Sequence, residues 1–144
     1  MIIMINGAYG VGKTSTAGLL KTKLANSMIY DPEEIGFMLR KVLEPNNLDV
    51  AEDFQHIKLW PAIVIEVARQ LHQQYKRHLI VPMSIPIPEY FQQIKAGFFE
   101  FEPELYHFCL MASALTIQRR LQQRGDAPGG WPERLYWSTL SGLC

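Results

Sequence analysis

The sequence predicts a three-layer α/β domain with a mostly parallel sheet of about four strands, and three observations carry the prediction. Short apolar runs alternate with stretches of helical period, as in a parallel sheet covered on both faces. A glycine-rich loop, Gly7-Ala8-Tyr9-Gly10-Val11-Gly12-Lys13-Thr14, lies between the first apolar run and the first helical stretch. The chain has 144 residues and a mass of 16.5 kDa, the size of one domain with its own core, so residues 1–144 are read as a single unit.

Met1 to Asn6 is short, Ile-rich and bounded by Gly7, which argues a buried strand. Over residues 13–25 the period changes, with Ala17, Leu20 and Leu24 on one helical face. Met28 to Tyr30 reads as a second strand. Asp31-Pro32-Glu33-Glu34 then supplies an N-cap, a first-turn proline and an acidic N3 residue for a helix running to about Leu43. Residues 44–58 contain Pro45-Asn46-Asn47 and hold no sustained period, so an exposed loop with room for one helical turn is expected. A helix from Pro61 carries the stripe Val64, Val67, Ala68, Leu71 and Tyr75. Leu79 to Met83 is the third strand, with Pro82 expected near its end because a mid-sheet proline removes a ladder bond. Pro86 and Pro88 delay the next helix, whose face is Tyr90, Phe91, Ile94 and Phe98. Leu105 to Met111 is a fourth strand, and Ala114, Ile117 and Leu121 mark a helix ending by Gly125. Residues 125–144, with Pro128, Gly129-Gly130 and Pro132, show no strand pattern; an irregular tail is expected, with C-terminal elements short or missing.

Fourteen basic residues balance fourteen acidic ones, so the field that would draw the chain to nucleic acid is missing. The apolar runs fall short of the roughly 18 residues of a membrane span, and no secretory leader pattern opens the chain; a cytoplasmic protein without an integral membrane segment is expected. Cys109 and Cys144 fit neither zinc spacing nor a disulfide framework and read as reduced thiols, Cys109 in the core.

The glycine loop matches G-x-x-x-x-G-K-[ST], the P-loop or Walker A pattern, in the strand-to-helix context that the motif requires. Its glycines let backbone N–H groups curl around phosphate oxygens, and the helix N-terminus adds its dipole. The nucleotide-binding set is therefore Gly7, Ala8, Tyr9, Gly10, Val11, Gly12, Lys13, Thr14 and Ser15. Lys13 serves the β and γ phosphates, and Thr14 is the candidate ligand of Mg²⁺. No N-K-x-D signature for guanine is present, and Asp126-Ala127-Pro128-Gly129 follows a helix rather than the third strand, so ATP is the expected nucleotide.

No carboxylate follows the third strand, where Pro82, Met83 and Ser84 stand. Asp31, ending the second strand, is the nearest acid: a base or metal partner, a helix cap, or both. Arg40 lies one turn beyond Gly36 and could reach a substrate anion across the gap the glycine leaves, or be a solvated surface arginine. Asp53, Phe54 and Gln55, with Trp60 nearby, mix an acid, an amide and rings as a polar ligand requires, or form a loop pinned by its aromatics. On the last helix, at about 100° per residue, Arg120 and Arg124 flank the Ile117/Leu121 stripe while Arg119 faces away. The pair could neutralise a transferring phosphoryl group or cap a basic helix end.

Ile5-Asn6-Gly7 through Thr14, Tyr30-Asp31-Pro32-Glu33-Glu34-Ile35-Gly36-Phe37, Glu52-Asp53-Phe54-Gln55, Ile80-Val81-Pro82-Met83 and His107 to Ser113 ahead of Arg120-Leu121-Gln122-Gln123-Arg124 together resemble the bacterial ATP-binding tunicamycin-resistance proteins, themselves similar to small P-loop kinases. The resemblance covers about residues 1–124. It implies a P-loop NTPase or kinase-like fold, ATP held by Gly7 to Thr14, a substrate side near Asp31 and Arg40, lid arginines at Arg120 and Arg124, and a nucleoside-sugar antibiotic as one possible ligand.

The expected activity is that of an ATP-dependent small-molecule kinase: in-line phosphoryl transfer to a hydroxylated molecule, with Lys13, Asp31, Arg120 and Arg124 as the catalytic set. The alternative is a non-catalytic protein that sequesters a nucleoside antibiotic in an ATP-gated cleft. An exposed sheet edge would favour a homo-oligomer.

Overall fold

The computed structural model describes residues 1–49, 53–85 and 87–125. Four strands, β1 (Ile2–Gly7), β2 (Ser27–Ile29), β3 (His78–Pro82) and β4 (Leu105–Leu110), form one sheet in the order β2-β3-β1-β4. Every neighbouring pair is parallel, with Ile3 opposite both Ile80 and Tyr106. The helices are α1 (Lys13–Lys23), α2 (Pro32–Leu43), α3 (Trp60–Tyr75), α4 (Pro88–Phe101) and α5 (Ala114–Gln123).

The side chains of β1 explain the layers. Ile2 and Met4 point into a core with Val64 and Ala68 of α3 and Ile94 and Phe98 of α4. Ile3 and Ile5 point the other way, onto Ala17, Leu20 and Leu24 of α1. A strand buried on both faces needs apolar residues at successive positions, which is why Ile2 to Ile5 shows no alternation. Pro82 closes β3 opposite Ile5, and the next N–H, of Met83, resumes the ladder to the Ile5 carbonyl at 3.0 Å.

Asp31 caps α2, its Oδ1 accepting the Glu33 N–H at 3.0 Å, with Pro32 in the first turn. Pro88 opens α4 rather than delaying it, since a first-turn proline gives up an N–H that would have had no helical partner. Trp60 starts α3 one residue before the expected Pro61; its ring is buried and its Nε1 donates to the Pro32 carbonyl at 3.0 Å.

The expectation of an exposed loop over 44–58 holds for residues 44–49, which are exposed, and is corrected over 54–57; residues 50–52 lie outside the described residues. Two 3-10 turns form, Glu44–Asn46 and Phe54–His56, and the second buries Phe54, Gln55 and Ile57. Phe54 lies against the bare backbone of Gly36, where an added Cβ would overlap its ring, and meets Phe37 and Trp60 edge-on at 5.3 and 5.5 Å. Those contacts tie the connection to α2.

Strand β4 stands at the sheet edge among the described residues, with Tyr106 and Phe108 about half exposed. Cys109 is correspondingly half-buried rather than in the core; Cys144, like the rest of the tail beyond Gly125, lies outside the described residues. Among the described residues no helix is long and apolar enough to cross a membrane.

Candidate functional site

β1 ends in a backbone that only glycine adopts easily. Gly7, Gly10 and Gly12 have φ of 145°, 81° and 106°. At Gly7 a Cβ would come within 2.6 Å of the Leu110 carbonyl oxygen of β4, so the chain turns tightly against its neighbour. The loop then feeds directly into α1, whose N-cap Gly12 offers no side-chain bond, leaving the first-turn amides free of a side-chain cap.

Lys13 is the buried charge of this turn. It is 8% exposed, and its Nζ donates to the Gly7 and Ala8 carbonyls at 3.0 and 2.9 Å. Burial brings its ammonium from the usual 10.5 down to about 8, against the upward pull of the Glu33 and Asp31 carboxylates.

Helix α5 packs onto the loop. Val11, Ile117 and Leu121 form a small core with Ala8 and Tyr9, and a Cβ on Gly10 would press on Leu121 and Ile117 at 3.0 and 3.2 Å. Arg120 Nη1 donates to the Val11 carbonyl at 2.6 Å. Arg124 Nη2 donates to the Tyr9 hydroxyl at 2.8 Å, its guanidinium 5.1 Å from the ring centre. The Ser113 hydroxyl caps this helix by accepting the Thr116 N–H.

An open cleft of about 610 Å³ results, walled by residues 9–16, Glu33, Arg120, Gln123 and Arg124. Three cations face a set of backbone amides and the hydroxyls of Thr14, Ser15 and Thr16, an arrangement that suits a polyanion. The donor set also fits Mg²⁺ bound together with phosphates: Thr14 offers a hydroxyl, and Glu33 a nearby carboxylate. Among the described residues no cluster of three His, Cys, Asp or Glu could hold a metal alone.

Of the expected site residues, the cleft unites Tyr9 to Ser15 with Arg120 and Arg124. Gly7 and Ala8 bear on it through the carbonyls that hold Lys13. Its walls do not include the expected substrate set. Asp31 stands at the end of β2, its carboxyl held above the usual range mainly by desolvation, and spends one oxygen on the α2 cap. Arg40 pairs with Glu44 at 2.6 Å, and the gap it was expected to reach across is filled by Phe54. Asp53 caps the 3-10 turn through the Gln55 N–H at 3.0 Å. Gln55 is buried with its Oε1 unbonded.

Sequence reading missed Glu33 as a wall of the cleft. Burial, with Asp31 second, raises its carboxyl above the usual range, against Lys13. Its position in the first turn of a helix beginning where β2 ends was the available signal, since that turn opens at the carboxyl edge of a parallel sheet.

No curated protein matches the sequence. Among solved structures the chain is similar to the Deinococcus radiodurans tunicamycin resistance protein, at 29% identity and a TM-score of 0.77 over 99% of this chain and 80% of that one. It shares its fold with a gluconokinase from Sinorhizobium meliloti 1021 (16% identity, TM-score 0.64, 96% and 72% covered). It shares it too with the shikimate kinase of Acinetobacter baumannii (15%, 0.59, 97% and 74%). A family profile described as AAA domain matches residues 3–134, and the chain, which has the P-loop fold of these structures, therefore belongs to that family.

Proposed function

We propose that the protein binds ATP through the glycine loop and transfers its γ-phosphoryl group to a small hydroxylated molecule. The observation that carries this reading is the buried Lys13, poised on two loop carbonyls in a cleft where Arg120 and Arg124 also converge. On binding, the loop amides and Lys13 take the β and γ phosphates, and the two arginines exchange their loop contacts for phosphate oxygens. Mg²⁺, when bound at Thr14, supplies charge neutralisation. The acceptor oxygen forms a bond to the γ phosphorus as the bond to the β–γ bridging oxygen breaks. ADP leaves with that electron pair, and the hydroxyl proton passes to Asp31. A carboxyl held above its usual range is suited to accepting that proton.

A second reading is a non-catalytic protein that sequesters a nucleoside antibiotic beside bound ATP. It is favoured by the 29% identical relative, a tunicamycin resistance protein, and by the third strand ending at Pro82-Met83-Ser84 without a carboxylate. Calorimetry with ATP and assay of ADP release separate the two: a kinase releases ADP in step with phosphorylated acceptor, a sequestering protein binds stoichiometrically without turnover. Lys13→Ala should lose most ATP affinity under either reading while keeping the fold; unchanged affinity would remove the basis of both.

A further inference from the structure

Two buried polar side chains near the carboxyl edge of the sheet each leave one atom without a hydrogen-bond partner among the described residues. Asn6, fully buried near the end of β1, leaves its Nδ2 unbonded, while its Oδ1 lies 3.5 Å from the Ile85 N–H and so holds the side chain against the segment leaving β3. Ser84, in that segment and 4% exposed, leaves its Oγ unbonded. Orphaned buried groups are rare because desolvation goes uncompensated, and two at one place call for an explanation. The order β2-β3-β1 sets Asp31, just past β2, Ser84, just past β3, and Asn6, the β1 residue before Gly7, at the carboxyl ends of three adjacent strands, the edge at which open α/β sheets bind ligands.

Charge around this edge is divided. Lys13, Arg120 and Arg124 belong to the loop and α5, whereas α2 brings Asp31 and Glu33, and Arg40 is paired with Glu44. An anionic acceptor would meet carboxylates and neutral groups there. We infer that the acceptor side takes an uncharged polyhydroxylated molecule, with Asn6 Nδ2 and Ser84 Oγ as specificity-determining groups that bond its neighbouring hydroxyls. An amide N–H donates to a hydroxyl oxygen, a serine hydroxyl donates or accepts, and Asp31 accepts, which matches the dual character of a diol. The inference rests on the phosphoryl-transfer reading only for taking this sheet edge as the acceptor side.

The test uses the full chain. ATP binding is measured first by calorimetry. With a non-hydrolysable ATP analogue present, the Asn6 side-chain amide signals are followed by ¹H–¹⁵N spectroscopy during titration with methyl glucoside and myo-inositol, and with gluconate and shikimate as anionic counterparts. The uncharged pair should move the Asn6 signals saturably and bind about tenfold or more tighter than the anions. Ser84→Ala removes an unpaired hydroxyl, so its Tm should hold or rise while polyol affinity falls about tenfold, with ATP affinity as the internal control. Tighter binding of either anion, no response of Asn6 to any of the four, or full polyol affinity in Ser84→Ala would overturn the inference. Failure of ATP itself to bind would instead remove the phosphate-site reading.

Discussion

Raising the pH should weaken ATP binding and strengthen the unliganded fold at the same time, because both depend on one proton. Free Lys13 titrates at about 8 instead of 10.5, and only its ammonium form attracts phosphate. At pH 7 about nine-tenths of the free protein carries that charge, and at pH 9.5 about 3%, so ATP affinity should fall about thirtyfold over this interval, approaching tenfold per pH unit above 8. The phosphates of ATP are fully ionised above pH 8 and contribute little to the slope. Stability moves oppositely. Between about 8 and 10.5 the unfolded chain keeps a proton that the folded one has released, so unfolding free energy rises with pH in that window and is insensitive to Lys13 below it. Calorimetry at pH 7, 8, 9 and 9.5 measures the first effect, and thermal melts of the free protein the second. Lys13→Arg, whose guanidinium stays charged, should bind ATP less well at pH 7 but with a flat profile. A wild-type affinity constant up to pH 9.5, or a slope that persists in Lys13→Arg, would refute the assignment of a buried, phosphate-facing ammonium to this residue.

Glu33→Gln should move the midpoint of that affinity profile below 8, since the carboxylate is the largest influence raising Lys13; an unmoved midpoint would place the two groups out of each other's reach. Asp31→Asn keeps an oxygen for the α2 cap and removes a desolvated charge. Its melting temperature should therefore hold or rise while ADP release falls about 10²-fold or more, and surviving turnover would limit Asp31 to capping. Gly36→Ala would gain about 1 kcal/mol of helix propensity in open surroundings. Against the Phe54 ring, overpacking of about 1–3 kcal/mol should outweigh that gain. Urea denaturation checks the sign, and net stabilisation would show that Phe54 can move aside.

The sheet was legible because its signals are local. The Ile run of β1, the proline ending β3 and the G-x-x-x-x-G-K-T spacing each act through a few adjacent residues. So was the pairing of Arg120 with Arg124, which one helical turn brings to the same side. The second half of the candidate site was not legible, for a physical reason. Gly36 and Phe54 are 18 positions apart, and neither residue alone shows that one provides the space the other fills. Arg40 was misplaced for the same reason: the gap it was to cross is closed by a ring from another segment, while Glu44, one turn along its own helix, takes the charge. Glu33 lay in plain view as a helix-start acid, but its part in the cleft depends on how α2 leaves the sheet edge.

The docking of α5 onto the glycine loop has a kinetic consequence. Arg120 and Arg124 are bonded to the groups that frame the anion site, and Leu121 and Ile117 rest on Gly10. An arriving triphosphate therefore competes with contacts already made by the chain, and its entry is a substitution rather than an addition. If the chain binds ATP as proposed, the arginines must leave Val11 and Tyr9 as the phosphates arrive, and the observed on-rate should saturate at high ATP at the rate at which α5 lifts from the loop. Under the proposed phosphoryl transfer, product release would run the same exchange backwards, with the Val11 carbonyl and the Tyr9 hydroxyl taking the arginines back as the spent nucleotide leaves.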